Sequence, residues 1–170
     1  MNTSTVLNNQ VYTIPMLEEV AKFVIDKFDC GENVDVIRLA EKLGFKLYQA
    51  DFADRDIAGK VEKVGDSVHI YVNRDDHPLR QEFTIAHEIG HMILHNRGED
   101  DYFVDFRNTR KHYDWREVEA ENFAAALLMP RAKCEQVWRM CYQDIDDFAR
   151  MMRVTKLAAT IRLRSLGKLG

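Results

Sequence analysis

Residues 87–91 read HEIGH, two histidines four positions apart with a glutamate directly after the first. On an α-helix, positions i and i+4 lie one above the other, roughly 5 to 6 Å apart at Cβ. His87 and His91 can therefore share one ligand, and zinc accepts imidazole nitrogen at about 2.0 to 2.1 Å. Glu88 is rotated about 100° from His87, which sets it beside the metal position instead of on it. A carboxylate there can take a proton from an activated water and later pass it to a leaving amine. This is the H-E-x-x-H arrangement of metallopeptidases. His95 extends the histidine row by another turn, but at 1.5 Å per residue it rises about 12 Å above His87. One ion cannot hold all three, so His95 is read as a satisfied or exposed side chain.

The spacing has this meaning only on a helix. The preceding segment DDHPLRQEFTIA places Pro78 at a first helical position, and Phe83, Ile85, Ala86, Ile89, Met92 and Ile93 supply an apolar side. Upstream, Pro15 opens a helix with Leu17, Val20, Val24 and Phe28, stopped at Gly31, and a second helix spans about residues 35–43. FKLYQADF, IAGKVEKV and SVHIYVN read as strands, the last two joined through Gly65-Asp66 as an antiparallel hairpin. NRGEDDYFVDFRNTRKHYDW reads as a long polar and aromatic loop, of the kind that lines sites. Helical patterning resumes near Glu117 and occupies most of the remainder.

A chain of 170 residues with 46% apolar content can build one compact unit. Its formal net charge of −4 gives no global case for binding nucleic acid or anionic membranes. The opening residues lack the basic-then-apolar pattern of a secretory signal and no long apolar run follows, so a cytoplasmic protein is expected. Cys30, Cys134 and Cys141 are odd in number and form no C-x-x-C pair, which argues against a disulfide framework or a zinc ribbon.

A catalytic zinc usually has three protein ligands and one open position. REVEAENFAAALLMP offers Glu117, Glu119 and Glu121 beside an apolar set of Ala120, Phe123, Ala124, Leu127 and Leu128. Periodicity leaves the choice open. Taken together and in this order, IAGKV, IYVN followed by RQEFTIAHEIGHMILH, and EVEAENFAAALLMP resemble the ImmA/IrrE-type zinc metallopeptidases over roughly residues 35–165. The resemblance implies an α+β fold, a small thermolysin-like (minimal gluzincin-type) domain with a short antiparallel sheet and a helical C-terminal part. It implies Zn2+ as cofactor, Glu88 as catalytic base and His87, His91 and Glu119 as ligands, with Glu117 in reserve. Glu121 departs from the family pattern, which has Asn or Asp after the E-A pair. The expected organisation is a metallopeptidase core over 1–130, with a loose tail at 1–12, and a helical extension over 131–170 packed on it.

The resemblance also implies a substrate: stand-alone members of this size often cleave a helix-turn-helix repressor encoded beside them. A different class of function comes from DIDDFARMMRVTKLAATIRLRSLG, two short helices joined near Arg153–Thr155, with Thr155 as N-cap and Gly167 as stop. Arg150, Arg153, Lys156, Arg162, Arg164 and Lys168 there could meet phosphates. The turn lacks the glycine common in such motifs, so direct nucleic-acid binding is not expected. A DNA-binding or metal-stabilised interaction module without proteolysis is the alternative reading. Tyr102, His112 and Tyr113 are candidates for stabilising an oxyanion, none of them singled out.

Overall fold

A computed structural model describes residues 11–96, 102–107 and 114–170. Helix α1 (Ile14–Lys27) starts at Thr13, whose hydroxyl accepts from the Met16 N–H, and α2 (Val36–Lys42) starts at Asp35, whose carboxylate accepts from Ile37 and Arg38. Strands β1 (Lys46–Ala50), β2 (Ile57–Val64) and β3 (Ser67–Asn73) follow. β2 and β3 pair antiparallel through the Gly65 turn, where φ is +61°.

Helix α3 (Pro78–His95) carries the HEIGH stretch, with Pro78 in its first turn and the His77 ring accepting from the Leu79 N–H. Strand β4 (Tyr102–Phe106) lies inside the segment whose composition reads as loop, and it pairs antiparallel with β2. Helix α4 (Trp115–Leu128) follows, then α5 (Arg131–Met140), α6 (Ile145–Met152) and α7 (Lys156–Ser165). Among the described residues no helix is long and apolar enough to cross a membrane.

The α+β class holds, but the sheet is mixed. Its order is β1-β3-β2-β4, and β1 runs parallel to β3. The tight hairpin reverses β3 relative to β2, and β1 adds to the outer side of β3 in the same direction as β3.

Helix α3 is wedged between the sheet and α4, and residues from Thr84 to Met92 are all buried, including both histidines and Glu88 of HEIGH. Two glycines permit that wedge. At Gly90 a β-carbon would come 2.8 Å from Phe123 Cδ1 and 3.4 Å from Ala120 Cα, so the missing side chain is what lets α3 and α4 approach. At Gly59, in the IAGKV strand, a β-carbon would fall 2.4 Å from Thr84 Cγ2 and 2.8 Å from the Tyr71 carbonyl oxygen, and 3.4 Å from Glu88 Oε1. Gly59→Ala is therefore expected to destabilise the protein by about 1 to 3 kcal/mol through overpacking, read as a lower midpoint in thermal or urea unfolding. An unchanged midpoint would contradict the close approach of α3 to the sheet.

One apolar cluster lies between α1, α2, the sheet and the α3–α4 pair, and a second joins α4 to α5, α6 and α7. Phe83 and Leu128 pack against both. The α6–α7 turn uses Arg153 in the left-handed conformation (φ 56°, ψ 48°) where glycine is commoner, and Thr155 caps α7 by accepting from Ala158. Three of the six basic residues there are committed within the chain: Arg150 to Asp147, Lys156 to Asp146, and buried Arg162 to Glu18 and the Met129 carbonyl.

Candidate metal centre

The Asp114 carboxylate accepts from the Arg116 N–H and opens α4 at Trp115. This start puts Glu117 in the first turn, over the histidine face of α3. Its Oε2 lies 3.0 Å from His87 Nε2 and its Oε1 lies 3.0 Å from His91 Nε2, while the two Nε2 atoms are 3.1 Å apart. Tetrahedral ligands at about 2.0 to 2.1 Å from zinc stand about 3.3 Å from one another. The two imidazole nitrogens and the two oxygens of Glu117 face one another at 3.0 to 3.1 Å, and one donor atom from each of the three residues lies within 4.8 Å of the others, a set that can close on such an ion. Two imidazoles and one carboxylate are also the donor set that leaves a fourth position open. His87, His91 and Glu117 are the group among the described residues with this metal-holding geometry.

The third member differs from Glu119, the position implied by the family pattern. Residues two apart on a helix point about 200° apart, so Glu117 and Glu119 cannot both face the histidine pair. Glu119 is buried on the other side, where its Oε2 lies 2.9 Å from His95 Nε2 and its Oε1 accepts from the Tyr12 N–H. Glu121, four residues after Glu117, shares the cleft face with it.

Glu88 is fully buried, and neither carboxylate oxygen has a hydrogen-bond partner among the described residues. An unpartnered buried carboxylate is costly and uncommon, and this one sits beside the ligand group. Burial pushes its pKa well above the usual carboxylate range, with Asp105 and Glu117 adding to the rise and His87 opposing it. A carboxyl group in that setting holds a proton tightly, as a proton acceptor for catalysis must.

Beside His87 and Glu117 opens a cavity of about 300 Å³. Arg80, Asp105 and Glu121 line its polar side, and Leu157, Ala158 and Ile161 of α7 line its apolar side. Asp105 is the contribution of β4, and Phe103 of the same strand stacks on the His91 ring with centroids 4.4 Å apart. The sequence gives Asp105 and Arg80 no distinguishing pattern. Tyr102 is largely exposed, and His112 and Tyr113 lie outside the described residues.

A family model described as Peptidase M78, the IrrE N-terminal-like domain, matches residues 40–164. The chain belongs to the Peptidase M78 family. The M78 match takes in the sheet, α3, α4 and nearly all of α7, so it extends past residue 130 into the C-terminal helices. No curated protein matches the chain.

Electrostatics in this M78 site tie metal binding to pH. Burial alone would push the His87 imidazole down, but Asp105, Glu117 and Glu88 outweigh it and raise its pKa to about 10. At His91 burial wins over Glu117 and the pKa falls to about 4. Glu117 is held far below the usual carboxylate range, its burial outweighed by the His87 and His91 imidazoles that its two oxygens face. Between those values the histidine pair carries one positive charge, the second ring proton of His87, and a metal must displace that proton. Zinc affinity is accordingly expected to rise about tenfold per pH unit between about pH 6 and 8, with about one proton released per ion. Calorimetry in buffers of different ionisation enthalpy measures this, and a pH-independent affinity would contradict it.

Proposed function

We propose that the protein is a zinc-dependent endopeptidase in which His87, His91 and Glu117 hold the metal and Glu88 is the catalytic base. The observation that supports it most directly is the convergence of one donor atom from each of three residues within 4.8 Å, beside a buried carboxylate that has no hydrogen-bond partner among the described residues. When bound, the zinc supplies Lewis acidity toward a scissile carbonyl and toward water. Glu88 removes the proton from the attacking water and delivers it to the departing amine. Glu117 and the histidines orient the reacting centre, and Asp105 and Glu121 line the cleft together with Arg80. The apolar wall from α7 gives an extended polypeptide a surface to lie against, so the C-terminal helices serve the cleft.

For the substrate, the family resemblance supports a helix-turn-helix repressor encoded beside the protein, and cytoplasmic action follows from that choice. Incubating the two purified proteins should yield one discrete truncation of the regulator. A chelator should stop it, and added zinc should restore it. Zinc binding without cleavage of the regulator or of a peptide library would favour the metal-stabilised interaction module.

A further inference from the structure

Glu119 is an ionisable side chain buried to 3% exposure, yet it is not one of the three ligand groups. Its neighbours form a continuous line. The Tyr12 backbone N–H donates to Oε1. On the other oxygen, Oε2 lies 2.9 Å from His95 Nε2. At the far side of that ring, His95 Nδ1 lies 3.0 Å from His91 Nδ1. His91 then turns its remaining nitrogen, Nε2, to His87 and Glu117.

The order of donors follows from what each group can do. A carboxylate accepts only, so the proton between Glu119 and His95 sits on His95 Nε2. A neutral imidazole has one proton, which leaves His95 Nδ1 as an acceptor. The bond between the two rings must then be donated by His91 Nδ1–H. That assignment leaves His91 Nε2 bare, with its lone pair toward the metal position, as ligation requires. The aromatic frame agrees with a fixed orientation: His91 stacks on Phe103 at an interplanar angle of 9°, and His95 meets Trp115 edge-on at 90°.

We infer that Tyr12, Glu119 and His95 are a positioning relay that fixes the ring and the tautomer of His91, so that the backbone leading into α1 is wired to the metal centre. The inference rests on the reading of His87, His91 and Glu117 as metal ligands. It gives the third histidine of HEIGHMILH and the second glutamate of EVEAEN a role that neither metal ligation nor proton transfer supplies.

Two measurements test it, neither of which depends on activity. In zinc-loaded protein, nitrogen NMR of the histidine rings should show His95 as the Nε2–H tautomer with Nδ1 accepting. A His95 protonated on Nδ1 would overturn the relay. Zinc affinity, measured against a competing chelator, should fall about 10- to 100-fold in His95→Leu, the usual effect of losing an outer partner of a ligand. His95→Gln should recover most of that loss, because its amide can accept from His91 and donate to Glu119. Equal losses in the two variants would mean that His95 only fills space. At the other end, Tyr12→Pro deletes the N–H and should weaken zinc binding by about fivefold, the scale of one ordinary hydrogen bond. A wild-type affinity in Tyr12→Pro would cut the relay short of the backbone. Absence of zinc binding by the wild type would instead defeat the metal reading itself.

Discussion

Glu88→Gln is expected to abolish proteolysis, by about 10² to 10⁴ in turnover, while zinc stays bound. The amide keeps the volume of the carboxylate and removes the proton acceptor. A second effect has the opposite sign. Glu88 is fully buried, without a hydrogen-bond partner among the described residues, and burial raises its pKa well above the usual carboxylate range. A carboxyl group whose folded pKa is raised costs stability once the pH exceeds the unfolded value. Metal-free Glu88→Gln should therefore melt at a higher temperature than the wild type at neutral pH, the pattern of a group kept for function against stability. Wild-type turnover in the variant would remove Glu88 from the reaction. A lower melting temperature would instead mean that its charge is well accommodated.

Glu117→Ala should reduce zinc affinity beyond the about 10- to 100-fold that an outer partner contributes, since it deletes one of three ligands. Glu119→Ala should stay within that range. Equilibrium competition with a chelator ranks the two directly. A larger loss for Glu119→Ala would turn α4 by about 200° relative to the metal, which its packing on α3 at Gly90 and Ala120 does not permit. Loss of zinc from Glu117→Ala together with an intact far-ultraviolet spectrum would assign the ligand without ambiguity.

The contrast between those two glutamates shows where sequence reading stops. His87, Glu88 and His91 are legible because their relation is set inside one helix, by a pitch that any α-helix shares. Glu117 and Glu119 belong to a second helix, and which of them faces α3 depends on where α4 starts and how it crosses its neighbour. Asp114 and Trp115 set that start, but the crossing is set by the small residues Gly90 and Ala120, far apart in the chain. The β2–β3 hairpin was legible for the same local reason as HEIGH, through a two-residue turn. β4 was not: its five residues are stabilised by pairing with β2, about 40 positions upstream, and Asp105 is hidden with it. Arg162 reads in the sequence as one of six cations that could meet phosphates, because nothing nearby announces a partner 144 residues away.

That arginine has a consequence for how the molecule comes apart. Its Nε donates to the Met129 carbonyl, at the end of α4, and its guanidinium reaches Glu18 on α1, which Arg131 also grips. One buried cation thus ties the first helix to the last across the helix that carries Glu117. Pulling α7 away would take the buried Arg162 guanidinium from both partners at once, leaving Glu18 to Arg131 alone and the Met129 carbonyl to the Cys134 thiol. Helices α1 and α7 are therefore expected to open in a single step, so that their amides exchange with solvent together, as parts of one cooperative unit.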